Sequence, residues 1–481
     1  MILSRCCRAC APGALLLALS LPSTSVSADG TWDFVPRVSI GQIYSDNINL
    51  APKGDEDSEA VTRLDAGFAL LREGGRARAR IDYNLVGLAY WDESDENDVF
   101  HQLEADGRVI LVPERFFFDA LASYGQRTLS RGDRSGDIVN IGVDRSDVFN
   151  LRLSPVYVQA FEDVATAELR YIYDRVDYEE SNAKDTSSQS NRVRATLNSG
   201  PMFSLVGWNL SFDREEIDFD DGSSVTFQTA EALARVNVTE RFSVFGVVGH
   251  EDNDFDQDPR RARPDDTYWR TGATFQPTAR TFLEGYVGDR FFGTTYGGSI
   301  RRQLRDGRLI ADYVEELRTV NQLDDPRLLR DEFGDPIFDP ETGQPIFELP
   351  DVLSGVYLRK RFSAGVSIRR AKTNWGVRVF DERREFEIDD RRERVQGVIG
   401  DITWRALPRT SVFGNFRIEE STFADDRDRE DTLWSTRVGV SRDLGQRTSA
   451  SVDYTYRERD SNEAAREYRE NRVTATFTKV F

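Results

Sequence analysis

The two histidines are the residues of this 481-residue chain most suited to proton transfer. His250 closes the alternating run 242–249 and is followed by Glu251, Asp252 and Asp254. An imidazole steered by a carboxylate could act as the general base of a hydrolase. The same carboxylates could hold a hard divalent cation. Acidic stretches of this kind recur along the chain, however, so a solvated strand end accounts for His250 more simply. His101 follows Val99 and Phe100 at a strand start and reads as interfacial. There is no Gly-x-Ser-x-Gly, no glycine-rich phosphate loop and no His-x-x-x-His. All three cysteines (Cys6, Cys7, Cys10) lie in the first ten residues. The expectation is a non-enzyme with no catalytic, cofactor-binding or metal residues, a hydrolase remaining a remote alternative.

The charged residues are more informative. Of 63 basic residues only five are lysine, leaving 58 arginines. They alternate with apolar residues at period 2, the spacing of a strand and not of a helix. Ala77, Ala79, Ile81, Tyr83 and Leu85 face one way, against Arg78, Arg80, Asp82 and Asn84. Ala165, Ala167, Leu169, Tyr171 and Tyr173 oppose Thr166, Glu168, Arg170 and Asp174. Val193, Ala195 and Leu197 oppose Arg192, Arg194 and Thr196, and Val206, Trp208, Leu210 and Phe212 oppose Asn209, Ser211 and Asp213. Val473, Ala475, Phe477 and Phe481 face away from Arg472, Thr474, Thr476 and Thr478 at the end of the chain. Strands apolar outside and polar inside, the last ending on Phe, mark a bacterial outer-membrane β-barrel. The inward set, which would line the pore, is Arg78, Arg80, Asp82, Arg152, Glu168, Arg170, Arg192, Arg194, Asp213, Arg378, Asp401, Asp453 and Arg457. Arginine forks pair well with carboxylates on neighbouring strands; genome composition is the plainer source of the arginine bias.

The elements that must position these residues can be counted. Tight turns are expected at Gly74-Gly75, Val112–Phe116, Val158–Asp163, Gly200-Pro201, Val238–Phe242, Gln276–Thr281, Arg305–Gly307, Lys372–Asn374, Leu407–Thr410 and Leu444–Thr448. Longer acidic connections are expected at Asp55–Glu59, Asp92–Asp98, Glu251–Asp254, Asp425–Asp428 and Asp460–Glu470. Ten turns and two terminal strands give an all-β, antiparallel, up-and-down transmembrane barrel of about 22 strands, within roughly 18–24. The turns would be periplasmic and the acidic loops outside the cell. Aromatic clusters at Tyr90-Trp91, Phe116–Phe118, Tyr268-Trp269, Phe291-Phe292, Trp375, Trp404 and Trp434 would form two interfacial girdles.

The N-terminus fits this compartment. Arg5 and Arg8 precede the apolar run Ala14–Leu19, and Ser25-Val-Ser-Ala28 resembles a signal-peptidase site. Residues 1–28 are therefore expected to be a cleaved signal peptide for Sec export and 29–481 the barrel. The formal charge of −20 becomes −22 without Arg5 and Arg8, which argues against a nucleic-acid partner. Residues 320–357 carry five prolines and the near-repeat Asp335-Pro-Ile-Phe338 and Gln344-Pro-Ile-Phe347. They read as a long extracellular loop, either merely exposed or able to fold over the pore. A barrel this wide usually holds a plug. Strand-like sequence begins by Val35 with no plug-sized stretch before it, so an energised siderophore-type transporter is not expected.

Tyr44-Ser-Asp-Asn47, Arg290-Phe-Phe-Gly-Thr-Thr-Tyr296 and the closing Lys-Val-Phe481 resemble an outer-membrane family associated with the PEP-CTERM/exosortase system. Lys479 departs from the apolar or aromatic residue common there. The resemblance implies a barrel linked to exopolysaccharide biosynthesis, either an export channel or an accessory. It carries over no catalytic residue. Expected partners are outer-membrane lipid and lipopolysaccharide, the barrel assembly machinery through a C-terminal signal that includes Phe477 and Phe481, and exopolysaccharide with its export machinery. The alternative is a non-conducting structural or display barrel whose acidic loops bind glycans or cations.

Overall fold

The computed structural model describes residues 31–128, 136–143, 145–180, 186–261, 263–319, 355–388, 391–423 and 429–481. The expected signal peptide and the proline-rich loop lie outside these residues, except that β16 (Val356–Arg369) already begins at Val356. The described residues form one 22-stranded sheet from β1 (Trp32–Ser45) to β22 (Tyr468–Val480). Each strand pairs antiparallel with its chain neighbours, and β1 pairs with β22, with Arg37 opposite Val480 and Ser45 opposite Arg472. The cylinder is closed and leaves no open edge. Nine of the ten short turns fall where the sequence placed them, and the one expected at Val158–Asp163 is shifted to 162–164 because the strand before it runs on to Phe161.

Strands of mostly 13–15 residues, tilted as such barrels require, are long enough to cross the hydrocarbon layer with residues to spare. A circular barrel of 22 strands is about 40 Å across between facing backbones. The outward side chains are apolar and exposed, among them Phe34, Ile40, Leu64, Val248, Val452 and Phe477. All seven tryptophans belong to the outward face. Trp32, Trp208, Trp375 and Trp404 lie toward the turn end, and Trp91, Trp269 and Trp434 toward the loop end. These are the two girdles.

The structure corrects three expectations. Tyr90, Phe117 and Tyr268, assigned to the girdles, point inward; the two tyrosines are buried and Phe117 lies under Arg108. Glu251 is not a loop residue: β11 (Phe242–Asp252) includes it, and it faces inward to Arg290 at 2.6 Å. Asp460 and Glu470 also lie within strands, because β21 (Thr448–Ser461) and β22 extend past the membrane and leave only 462–467 as loop.

The interior is not uniformly wet. At the loop end Ile43, Val61, Val86, Leu88, Tyr90 and Phe100 form a dry patch on the inner wall of β1, β2 (Glu59–Glu73), β3 (Ala77–Tyr90) and β4 (Asp98–Val112). Val139, from the connection after β5 (Phe116–Thr128), packs against it. Residues 136–143 lie inside the barrel at this end.

Candidate functional site

All thirteen expected pore-lining residues fall on the inward-facing register. Seven of them, Arg78, Arg80, Arg152, Glu168, Arg170, Arg192 and Arg194, line a single cavity of about 1000 Å³ toward the turn end. Its wall runs across β3, β4, β5, β6 (Arg145–Phe161), β7 (Ala165–Tyr178) and β8 (Ser188–Ser199). Asp82 lies next to it and accepts a fork from Arg37, with Nη2–Oδ1 at 2.5 Å. Asp213, on β9 (Val206–Phe219), is shared by Arg192 at 2.8 Å and Arg194 at 2.7 Å.

The other four stand apart. Arg378 on β17 (Thr373–Phe386) lies opposite Gly365 and Ile399, and Asp401 on β18 (Arg392–Leu407) opposite Gly376 and Asn415. Asp453 is buried beneath Arg437, which donates to both its oxygens at 3.0 Å. Arg457 lies at the loop end, 2.7 Å from Asp137 and 3.4 Å from Glu470.

The loop-end cluster was not legible as a unit. Asp137 accepts from Arg457 and, at 2.6 Å, from Arg472. Burial pushes the Asp137 carboxyl up, but the Arg472 and Arg457 guanidinium groups outweigh it and hold it well below the usual carboxylate range. Asn140, fully buried, donates to Glu470 at 3.1 Å and to the Ile48 carbonyl at 3.2 Å. The Tyr90 hydroxyl donates to the Val139 carbonyl at 2.8 Å. Arg145 lies over the Phe100 ring at 4.9 Å and donates to the carbonyls of Asp137, Ile138 and Asn140. Residues 136–143 are thus stitched to four strands and to the first loop.

The Tyr44-Ser-Asp-Asn47 segment closes the seam between the first and last strands. The Ser45 hydroxyl donates to Glu470 at 2.7 Å, and Asp46 accepts from the Asn471 backbone and side chain, both at 2.7 Å. Asn47 Nδ2 donates to the carbonyls of Ala51 and Arg469 at 2.8 and 2.9 Å. In the Arg290–Tyr296 segment the chain reverses at Gly293, whose φ of +102° disfavours any side chain. Arg290 meanwhile reaches back to Glu251. Both segments are structural joints.

His250 points outward, half-exposed, 3.6 Å from Asp265. His101 is also outward, its Nδ1 at 2.7 Å from the Tyr83 hydroxyl. Phe477 and Phe481 are exposed on the outer face, and Lys479 reaches the Thr448 hydroxyl at 3.3 Å near the rim. Among the described residues no helix is long and apolar enough to cross a membrane, which says nothing of strands.

A closed sheet with an apolar waist, two tryptophan girdles and an ionic interior defines an outer-membrane β-barrel protein of the Gram-negative type, and this chain is one. No protein-family model matches the sequence, and no curated protein matches it. Among solved structures it is similar to a mutant of the ferric enterobactin receptor PfeA from Pseudomonas aeruginosa in complex with enterobactin. The TM-score is 0.51 at 10% identity, over 93% of this chain and 81% of that one. A second mutant of the same receptor, also in complex with enterobactin, gives a TM-score of 0.50 at 10% identity over the same shares. At that identity the likeness is one of barrel architecture.

Proposed function

We propose that this barrel is a passive conduit, or an accessory to one, in the export of an exopolysaccharide. The observation that carries the reading is the roomy cavity on the inner wall, lined by arginines and carboxylates inside a closed barrel about 40 Å wide. A water-filled channel with both signs of charge suits a hydrated polymer better than an apolar solute. The resemblance of Tyr44–Asn47, Arg290–Tyr296 and the C-terminal Lys-Val-Phe to the exosortase-associated barrels supplies the polysaccharide. No catalytic step is required of any residue. Lipid and lipopolysaccharide would contact the apolar waist, and Phe477 and Phe481 would present the terminal strand to the assembly machinery. The likeness to the enterobactin receptor brings no ligand with it.

Planar-bilayer recording of the purified protein is the test. Discrete conductance is expected, increased when residues 321–354 are replaced by a short linker. A protein that conducts nothing in either form is not a conduit. A second reading, a shut structural or display barrel, is favoured by the dry packing of Val139 at the loop end. It expects no conductance, and altered surface adhesion when the carboxylates of 92–98 are neutralised.

A further inference from the structure

A second, smaller cavity of about 220 Å³ opens on the inner wall at the loop end. It lies between Gly136 and the strands β19 (Thr410–Phe423), β20 (Arg429–Asp443) and β21. Its floor is Leu433, a half-buried apolar side chain at the centre of a polar rim. Glu419 and Arg459 flank Leu433 on its own rung of the sheet. Ser421 and Asp431 form the rung toward the loops, and Arg417, Ser435 and Arg457 the rung toward the turns. Strand spacing and pleat make this patch about 10 by 14 Å. All three guanidinium groups of the rim have a carboxylate partner. Arg417 pairs with Glu419, Arg459 with Asp431, and Arg457 with Asp137 at 2.7 Å and Glu470 at 3.4 Å. The Ser421 and Ser435 hydroxyls, in contrast, have no hydrogen-bond partner among the described residues.

We infer that this pocket holds one neutral hexose unit of a polysaccharide. A pyranose ring has the same layout as the patch, with apolar C–H faces and a rim of hydroxyls that each donate and accept. One ring face fits Leu433. The sugar hydroxyls then accept from arginine N–H groups, donate to the carboxylate lone pairs that the arginines leave unused, and meet the two free serine hydroxyls in either sense. A fully charged ligand gains little here. Engaging it would part an arginine from its carboxylate and leave a part-buried charge uncompensated. The volume is that of roughly seven waters, enough for one sugar ring and not for several. A longer chain would therefore seat one residue at a time and keep its neighbours in the lumen. The inference deepens the conduit reading and rests on it for its polymer, whereas its test measures binding without flow.

The experiment is calorimetric titration of the full-length protein, in a detergent without a sugar headgroup, with neutral hexamers of glucose, mannose and galactose and with hexagalacturonate. At least one neutral hexamer is expected to bind, and hexagalacturonate to bind about tenfold or more weakly than that one. Its affinity should fall about tenfold in Ser421→Ala plus Ser435→Ala, which removes two hydrogen bonds, and be lost in Leu433→Trp, which fills the pocket. Raising salt from about 0.05 to about 0.5 M should change it less than about twofold, because the ligand carries no charge. Arg305→Glu, at an exposed turn outside the pocket, should bind as the parent does. Resistance to unfolding in unheated SDS identifies which variants have folded. Failure of all three neutral hexamers to bind, tighter binding of the uronate, a steep loss of affinity with salt, or affinity unchanged in both pocket variants overturns the inference. Binding without conductance overturns only the conduit, and conductance without binding only the sugar pocket.

Discussion

Asp137 holds two guanidinium groups from strands that lie more than 300 positions away in the chain. Charge-assisted bonds of this kind contribute about 1.5–3 kcal/mol each when part-buried. Asp137→Asn should therefore weaken the docking of residues 136–143 by about 1–3 kcal/mol. Reaction of a Val139→Cys reporter with a water-soluble maleimide should speed up accordingly. The same reporter reads the pH dependence. A carboxyl whose pKa is depressed in the folded state contributes stability above its unfolded value and loses it only as pH falls through the depressed one. Labelling, expressed relative to that of the unfolded chain at the same pH so that the falling thiolate fraction cancels, should stay slow from pH 7 to about 4.5 and accelerate only in stronger acid. Acceleration near pH 6 would mean that another group holds the loop. Asn47 offers a second test. Asn47→Ala removes two bonds to backbone carbonyls and should cost about 1–3 kcal/mol, seen as a lower denaturant midpoint in detergent.

Strands and their connections carry the next level. On the inner wall, aromatic rings lie flat over glycines of the neighbouring strand, Tyr268 over Gly249 and Tyr286 over Gly297. A Cβ at either glycine would collide with the ring, so these pairs keep the wall smooth where it also carries Arg270, which contacts both rings. Gly297→Ala should destabilise by about 1–3 kcal/mol. Tyr286→Ala in the same chain should cancel part of that cost. A double-mutant cycle without coupling would show that the ring yields freely. The inward connection after β5 is the other element-scale device. Within residues 136–143, Val139 is buried on the β1–β4 wall and Ile138 and Ile141 pack against it, which narrows the lumen at the loop end.

For the whole molecule, the outward tryptophans make a direct prediction. With all seven on the lipid side, brominated acyl chains should quench most of the intrinsic fluorescence in reconstituted vesicles, and iodide very little. Strong iodide quenching would place these rings in water and contradict the two girdles. Closure of β1 on β22 also sets the barrel's response to heat. No strand can peel without breaking two ladders, so unfolding should be cooperative.

The amino-acid order determined the face of the charged strand residues, although the aromatics Tyr90 and Tyr268 near the strand ends lie on the opposite face from the one expected. Period-2 alternation encodes inside and outside directly, as at Arg78, Arg80 and Asp82, and turn chemistry at sites such as Leu407–Thr410 punctuates the strands. It determined the compartment for the same reason, since an outer apolar belt has only one suitable solvent. Alternation carries no information about position around the circumference. Only closure of the sheet decided that Arg78 and Arg194 share a cavity while Arg378 and Asp401 do not. The loop-end cluster depended on tertiary structure even more. Asp137, Arg457, Glu470 and Arg472 meet because residues 136–143 fold inward, and Tyr90 turned out to face those residues rather than the membrane. Contacts made across hundreds of residues leave no local pattern, because each partner's neighbours satisfy only their own strand.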